Sequence, residues 1–142
     1  MKLVVDNSVV MRWLFADGSK ADRQYASDVA ALVETSEVHV PALFATEAAN
    51  VISRALKAGV ITPQDGESRF DLLNAMQVNI DPVESTHSIT SLAIQAFELK
   101  LSAYDASYLL LAKHLACPLA TLDKDLRRAA KKCGVPIAGV VA

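Results

Sequence analysis

Short apolar runs that stop abruptly, separated by longer segments of helical period, constrain this chain more than any other feature. Leu3-Val4-Val5 stops at Asp6, Val38-His39-Val40 at Pro41, and Leu119-Ala120-Thr121-Leu122 at Asp123. Runs this short read as strands, and near-continuous apolar character is what a strand covered on both faces of a parallel sheet requires. Tyr25, Val29, Leu32 and Val33 form a helical stripe across Asp22–Leu32. A second helix is expected from Ala42 to Lys57, with Gly59 as its stop. Thr62-Pro63-Gln64-Asp65 reads as a capping box with proline at the first helical position, starting a helix that turns Phe70, Leu73 and Met76 inward. Ile89, Leu92, Ala93, Ala96 and Phe97 mark a further helix, Ser102 to Ala116 another, and Leu126, Ala129, Ala130 and Cys133 line the last. Val78 to Val83 and Val135 to Val141 supply two more strands, the second closing the sheet. Strands alternating with helices predict an α/β domain with a mostly parallel sheet.

With 142 residues and no repeat, linker or low-complexity tract, the chain is expected to form one domain over residues 1–142. Its 52% hydrophobic and 21% charged residues suit a filled core and disfavour disorder. A net charge of −2 gives no global signal for nucleic acid, so any such contact must come from a local patch. Cys117 and Cys133 have no zinc or redox spacing, which fits a reduced, cytoplasmic setting with both thiols as small core groups. Asp6, Asn7 and Arg12 interrupt what a secretory leader would need to be apolar, and no run approaches the ~20 residues of a membrane span. The expectation is a soluble protein.

Four carboxylates carry the chemistry. Asp6 and Asp123 end strands, where open parallel sheets bind ligands, although an Asp there also starts turns and caps helices. Glu47 stacks with Leu43 and Val51 on an apolar stripe, where an ionised carboxylate needs a partner; Arg54, two turns on, is one candidate and the stripe's solvent edge another. Asp105 lies inward with Leu101, Tyr108, Leu109 and Ala112, yet Ser102-Ala103-Tyr104-Asp105 also satisfies a capping box. Several carboxylates in one cleft repel unless a cation sits between them, and oxygen ligands without His or Cys select Mg²⁺ or Mn²⁺ over zinc. His39, His87 and His114 show no ligand spacing and read as surface or interface residues.

The order and context of these acids resemble the PIN-domain family, in particular its VapC-type toxin ribonucleases. The likeness rests on Val4-Val5-Asp6-Asn7-Ser8, on Pro41 through Val51 around Glu47, on Leu101-Ser102-Ala103-Tyr104-Asp105-Ala106 and on Leu119 through Asp125. It covers nearly the whole chain, with Asn7 standing where many relatives carry another small polar residue. The resemblance implies a three-layer α/β/α sandwich with a mostly parallel sheet of four to five strands. It implies that Asp6, Glu47, Asp105 and Asp123 bind the metal and are catalytic, with Ser8 and Thr121 as supporting neighbours. Asp125 either joins the site or lies on the next helical turn.

The activity implied is Mg²⁺-dependent endoribonuclease, with Mn²⁺ able to substitute, hydrolysing phosphodiester bonds by a metal-activated water. It would be the toxin of a VapBC-type pair, with RNA as substrate, a cognate antitoxin as partner and a homodimer as assembly. Lys124, Arg127, Arg128, Lys131 and Lys132 fall opposite the last helix's apolar stripe, which suits either an RNA backbone or a solvated face. Trp13, Phe15 and Tyr104 serve either base stacking or core packing. Two other readings stay open. A receiver-like phospho-signalling domain would need Asp81 as phosphoacceptor and Lys124 as its late lysine, and a PIN scaffold would bind partners without cutting.

Overall fold

The computed structural model describes residues 1–15, 17–82 and 87–140. Strand β1 (Lys2–Val5) lies between β2 (Glu37–Val40) and β4 (Leu119–Ala120), and β3 (Val78–Ile80) pairs with β2 at the far side. All pairings are parallel, giving the order β3-β2-β1-β4. Leu3, Val4 and Val5 are fully buried, so both faces of the central strand are covered, as their unbroken apolar run requires.

Helices supply that cover. The chain runs outward from β1 to β3 through α1 (Asn7–Leu14), α2 (Lys20–Val33), α3 (Phe44–Lys57) and α4 (Pro63–Ala75). It returns through α5 (Ile89–Leu99) and α6 (Ala103–Leu115) to β4, and α7 (Lys124–Lys132) follows. Right-handed crossovers place the outward and returning helices on opposite faces of the sheet. Accordingly α1 packs on α2 and α3, while α6 packs on α5, α7 and β1. The result is the expected three-layer α/β/α sandwich. Among the described residues no helix is long and apolar enough to cross a membrane.

Four local features differ from the sequence expectations. Helix α1 was not anticipated: Val9, Val10 and Trp13 are weak helix formers, and burial of Val9, Val10, Met11 and Leu14 overrides their propensity. Trp13 packs against the core and donates Nε1–H to the Ala26 carbonyl at 2.7 Å, tying α1 to α2, while Tyr104 stays 64% exposed. In α5 the inward face is Leu92, Ala96 and Leu99, whereas Ile89, Ala93 and Phe97 of the expected stripe face solvent. A segment apolar nearly all round gives its period no face to select.

The closing strand contracts to one parallel bridge between Leu119 and Ile137. Pro136 has no N–H to extend the ladder, and Gly139 takes φ 75°. His39, expected at the surface or an interface, is buried, with Nδ1 2.6 Å from Asp81 Oδ2 and Nε2 2.8 Å from Glu37 Oε1. Two carboxylates occupy both ring nitrogens, which lets a histidine sit inside. Val83, Val141 and the Asp65 side chain, parts of the expected strands and capping box, lie outside the described residues.

Candidate active site

Asp6 sits at the junction where β1 hands the chain to α1. It takes the N-cap position in extended conformation, yet its carboxylate makes no capping bond. Instead the hydroxyls of Ser8 and Thr121 donate to Oδ2 at 2.8 and 2.7 Å. Ser8 Oγ in turn accepts from the Leu122 N–H, and Thr121 Oγ1 from the Asp123 N–H, at 2.9 and 3.0 Å. These bonds lace together the carboxyl ends of β1 and β4, where the strand order reverses and open α/β sheets bind ligands. Burial pushes the Asp6 pKa up, the two hydroxyls oppose that shift, and the charge on Glu47 adds to it.

Glu47 enters from the first turn of α3. Its Oε1 accepts from Tyr108 O–H at 2.6 Å and from Asn7 Nδ2 at 3.2 Å. Val51 is exposed and the buried residues of α3 are Phe44 and Ala48, so Glu47 lies at the stripe's edge. Arg54 is exposed and is not its partner among the described residues. Asn7 also donates toward the Phe44 carbonyl and the Tyr108 oxygen, at 3.3 and 3.1 Å.

Asp105 and Asp123 each belong to a helix start. Ser102 Oγ accepts from the Asp105 N–H at 3.0 Å, and Asp123 Oδ1 accepts from the Leu126 N–H at 2.9 Å. The capping and site readings of these residues are therefore compatible. Burial and the charges on Asp6 and Asp123, with a smaller contribution from Glu47, push the Asp105 pKa to about 6, against an offset from the Ser102 hydroxyl. Asp105 thus feels the charge of each of the other three acids. Replacing Ser102 by alanine removes the α6 cap and is expected to cost about 1 kcal/mol in a thermal or urea melt.

The sequence pattern of the PIN domain matches residues 3–132. The chain belongs to the PIN-domain family. Two relatives are the VapC ribonuclease Mb0985 of Mycobacterium bovis and the ribonuclease VapC9 of Mycobacterium tuberculosis. Each is 32% identical over 124 residues, covering 87% of this chain and 87% of the relative. The crystal structure of PAE2754 from Pyrobaculum aerophilum shares the fold, with a TM-score of 0.63 at 22% identity over 90% of this chain and 78% of that one.

Whether this PIN domain's acids suit a metal can be judged from their oxygens. Among the described residues no three His, Cys, Asp or Glu groups close directly around an ion. Mg²⁺ seldom needs such a cage, since it keeps several waters and takes one or two carboxylates. Glu47 Oε2 and Asp123 Oδ2 accept no hydrogen bond from the described residues, while the opposite oxygen of each is fixed, as is Asp6 Oδ2 by its two hydroxyls. No Lys or Arg among those residues pairs with any of the four acids. Asn7 Oδ1 adds a buried acceptor without a donor. This all-oxygen donor set fits a hydrated, hard divalent cation.

The remaining candidates in the PIN domain divide. Asp125 is exposed and pairs with Arg128 at 2.7 Å, away from the acids' shared contacts. Arg127 lies over the Tyr25 ring, 4.5 Å from its centroid, and donates Nε–H to the Thr121 carbonyl at 2.7 Å. It braces the turn that carries Thr121 and Asp123, a tie that charge patterning alone does not reveal. Lys124, Arg128, Lys131 and Lys132 remain exposed. Asn7 and Tyr108 were missed as site residues; the one available signal was that Tyr108 follows Asp105 at helical spacing.

Proposed function

We propose that this PIN domain is a Mg²⁺-dependent endoribonuclease, the toxin of a VapBC-type toxin–antitoxin pair. The observation that carries the reading is the hydrogen-bonded gathering of Asp6, Glu47 and Asp123 at the strand-order reversal, with Asp105 one turn from Tyr108 and no Lys or Arg paired with any of the four among the described residues. The two mycobacterial relatives named as VapC ribonucleases support the same activity.

In this reading the four carboxylates are the catalytic and metal-holding groups. Ser8 and Thr121 orient Asp6 through its Oδ2. Mg²⁺ or Mn²⁺ held by these acids would supply a lowered pKa for a water and positive charge against the phosphoryl oxygens. Lys124, Arg128 and Lys131 hold the RNA backbone beside the acids, while Arg127 acts mainly by bracing Thr121. A cognate antitoxin, a homodimer and a cytoplasmic setting complete the proposal.

Incubating the protein with total cellular RNA, with Mg²⁺, with Mn²⁺ or with EDTA, tests it. Cleavage is expected with either metal and none in EDTA. Full cleavage in EDTA overturns the metal centre, and intact RNA under every condition favours a silent scaffold. The receiver-like reading has less support, because Asp81 follows the edge strand β3, with β2 between it and the strand that carries Asp6, and faces His39.

A further inference from the structure

Tyr108 is completely buried in a core of leucine, valine and alanine, where phenylalanine would fill the same volume. A buried hydroxyl needs a partner, and this one takes a carboxylate. Its O–H reaches Glu47 Oε1 at 2.6 Å, and Asn7 Nδ2 approaches the same oxygen at 3.2 Å. Each donor sits beside another acid of the site. Asn7 directly follows Asp6, and Tyr108 lies one turn along α6 from Asp105. Asn7 is fixed in its turn by the Phe44 carbonyl and the Tyr108 oxygen. Neutral donors therefore join the start of α1 beside Asp6 to α3 and α6, without placing any counter-charge in the site.

Glu47 needs such restraint more than its neighbours. It stands at the edge of the buried stripe of α3, where a flexible glutamate otherwise turns to water, and ordering it has an entropic cost. We propose that Asn7 and Tyr108 are positioning residues that fix Oε1 of Glu47 and thereby present Oε2 to the divalent ion shared with Asp6 and Asp105. This rests on the metal-centre reading above. Groups that orient a metal ligand through hydrogen bonds typically influence affinity by about 10–100-fold.

The test is Mn²⁺ binding to the full-length protein, measured by calorimetry without RNA, for the wild type, Tyr108→Phe, Asn7→Ala, Glu47→Ala and the Tyr108→Phe/Glu47→Ala pair. Tyr108→Phe removes one oxygen and keeps the core volume, so its circular dichroism spectrum should match the wild type. Its Mn²⁺ affinity is expected to fall about 10-fold, with a similar fall for Asn7→Ala. In the Glu47→Ala background the Tyr108 change should have a much smaller effect, because its bond to the carboxylate is gone and only its contact with Asn7 is left. Wild-type affinity in Tyr108→Phe alongside weakened binding in Glu47→Ala overturns the positioning role and leaves the metal centre standing. An equal loss in both backgrounds assigns Tyr108 to packing and also overturns it. Undiminished binding in Glu47→Ala removes both the positioning role and Glu47's place as a ligand.

Discussion

Replacing Asp6 by asparagine is expected to lower metal-dependent RNA cleavage by on the order of 10²–10³-fold, the scale seen when one preorganised charge-stabilising group is lost. The substitution is nearly isosteric. The amide oxygen can still accept from Ser8 and Thr121, so the links between β1 and β4 survive. What disappears is a charge that burial already disfavours. The metal-free variant should therefore melt at or above the wild-type temperature even as catalysis collapses. Initial rates in Mg²⁺ and circular dichroism melts in EDTA read the two effects separately. Wild-type rates from the variant would remove Asp6 from the mechanism.

Acidifying the metal-free protein should stabilise it through Asp105. The carboxyl titrates at about 6 in the folded chain against an ordinary 3.8, so the folded state holds its proton more tightly than the unfolded state. Stability from this group is fully present below the unfolded pKa and is lost as pH rises from there through the folded pKa. The main causes are burial and the charges of Asp6 and Asp123. Because the side chain is only half-buried, solvent screens part of the effect. Asp105→Asn is expected to melt above the wild type at pH 7.5 in EDTA, to lose that advantage near pH 5, and to abolish cleavage. Mg²⁺ should raise the wild-type melting temperature more at pH 7.5 than at pH 5, since the ion competes with the proton. Identical pH slopes for wild type and variant would show that Asp105 does not feel its neighbours.

Where the sequence was legible, a local rule and a tertiary need coincided. Asp6 and Asp123 stood out because short, doubly covered strands end sharply, and both acids lie at the sheet's carboxyl edge. Ser102 announced the start of α6, and Gly59 the end of α3. The capping and ligand readings of Asp105 and Asp123 looked like alternatives in one dimension, yet a helix start aimed at the site accommodates both. The Asn7–Glu47 and Glu47–Tyr108 bonds span 40 and 61 residues, separations over which no periodicity operates. Arg127 looked like an RNA contact or a solvated charge because composition shows its guanidinium and not the Tyr25 ring beneath it. The outward turn of Phe97 was equally hidden, since α5 is apolar on several sides.

Thr121 donates to Asp6 across 115 positions of chain, and β4, which carries it there, docks directly on β1. Nothing in the first three strands can replace that donor, so the junction that holds Asp6 and Asp123 side by side exists only when the last strand is in place, and loosening β4 should disturb Asp6 first.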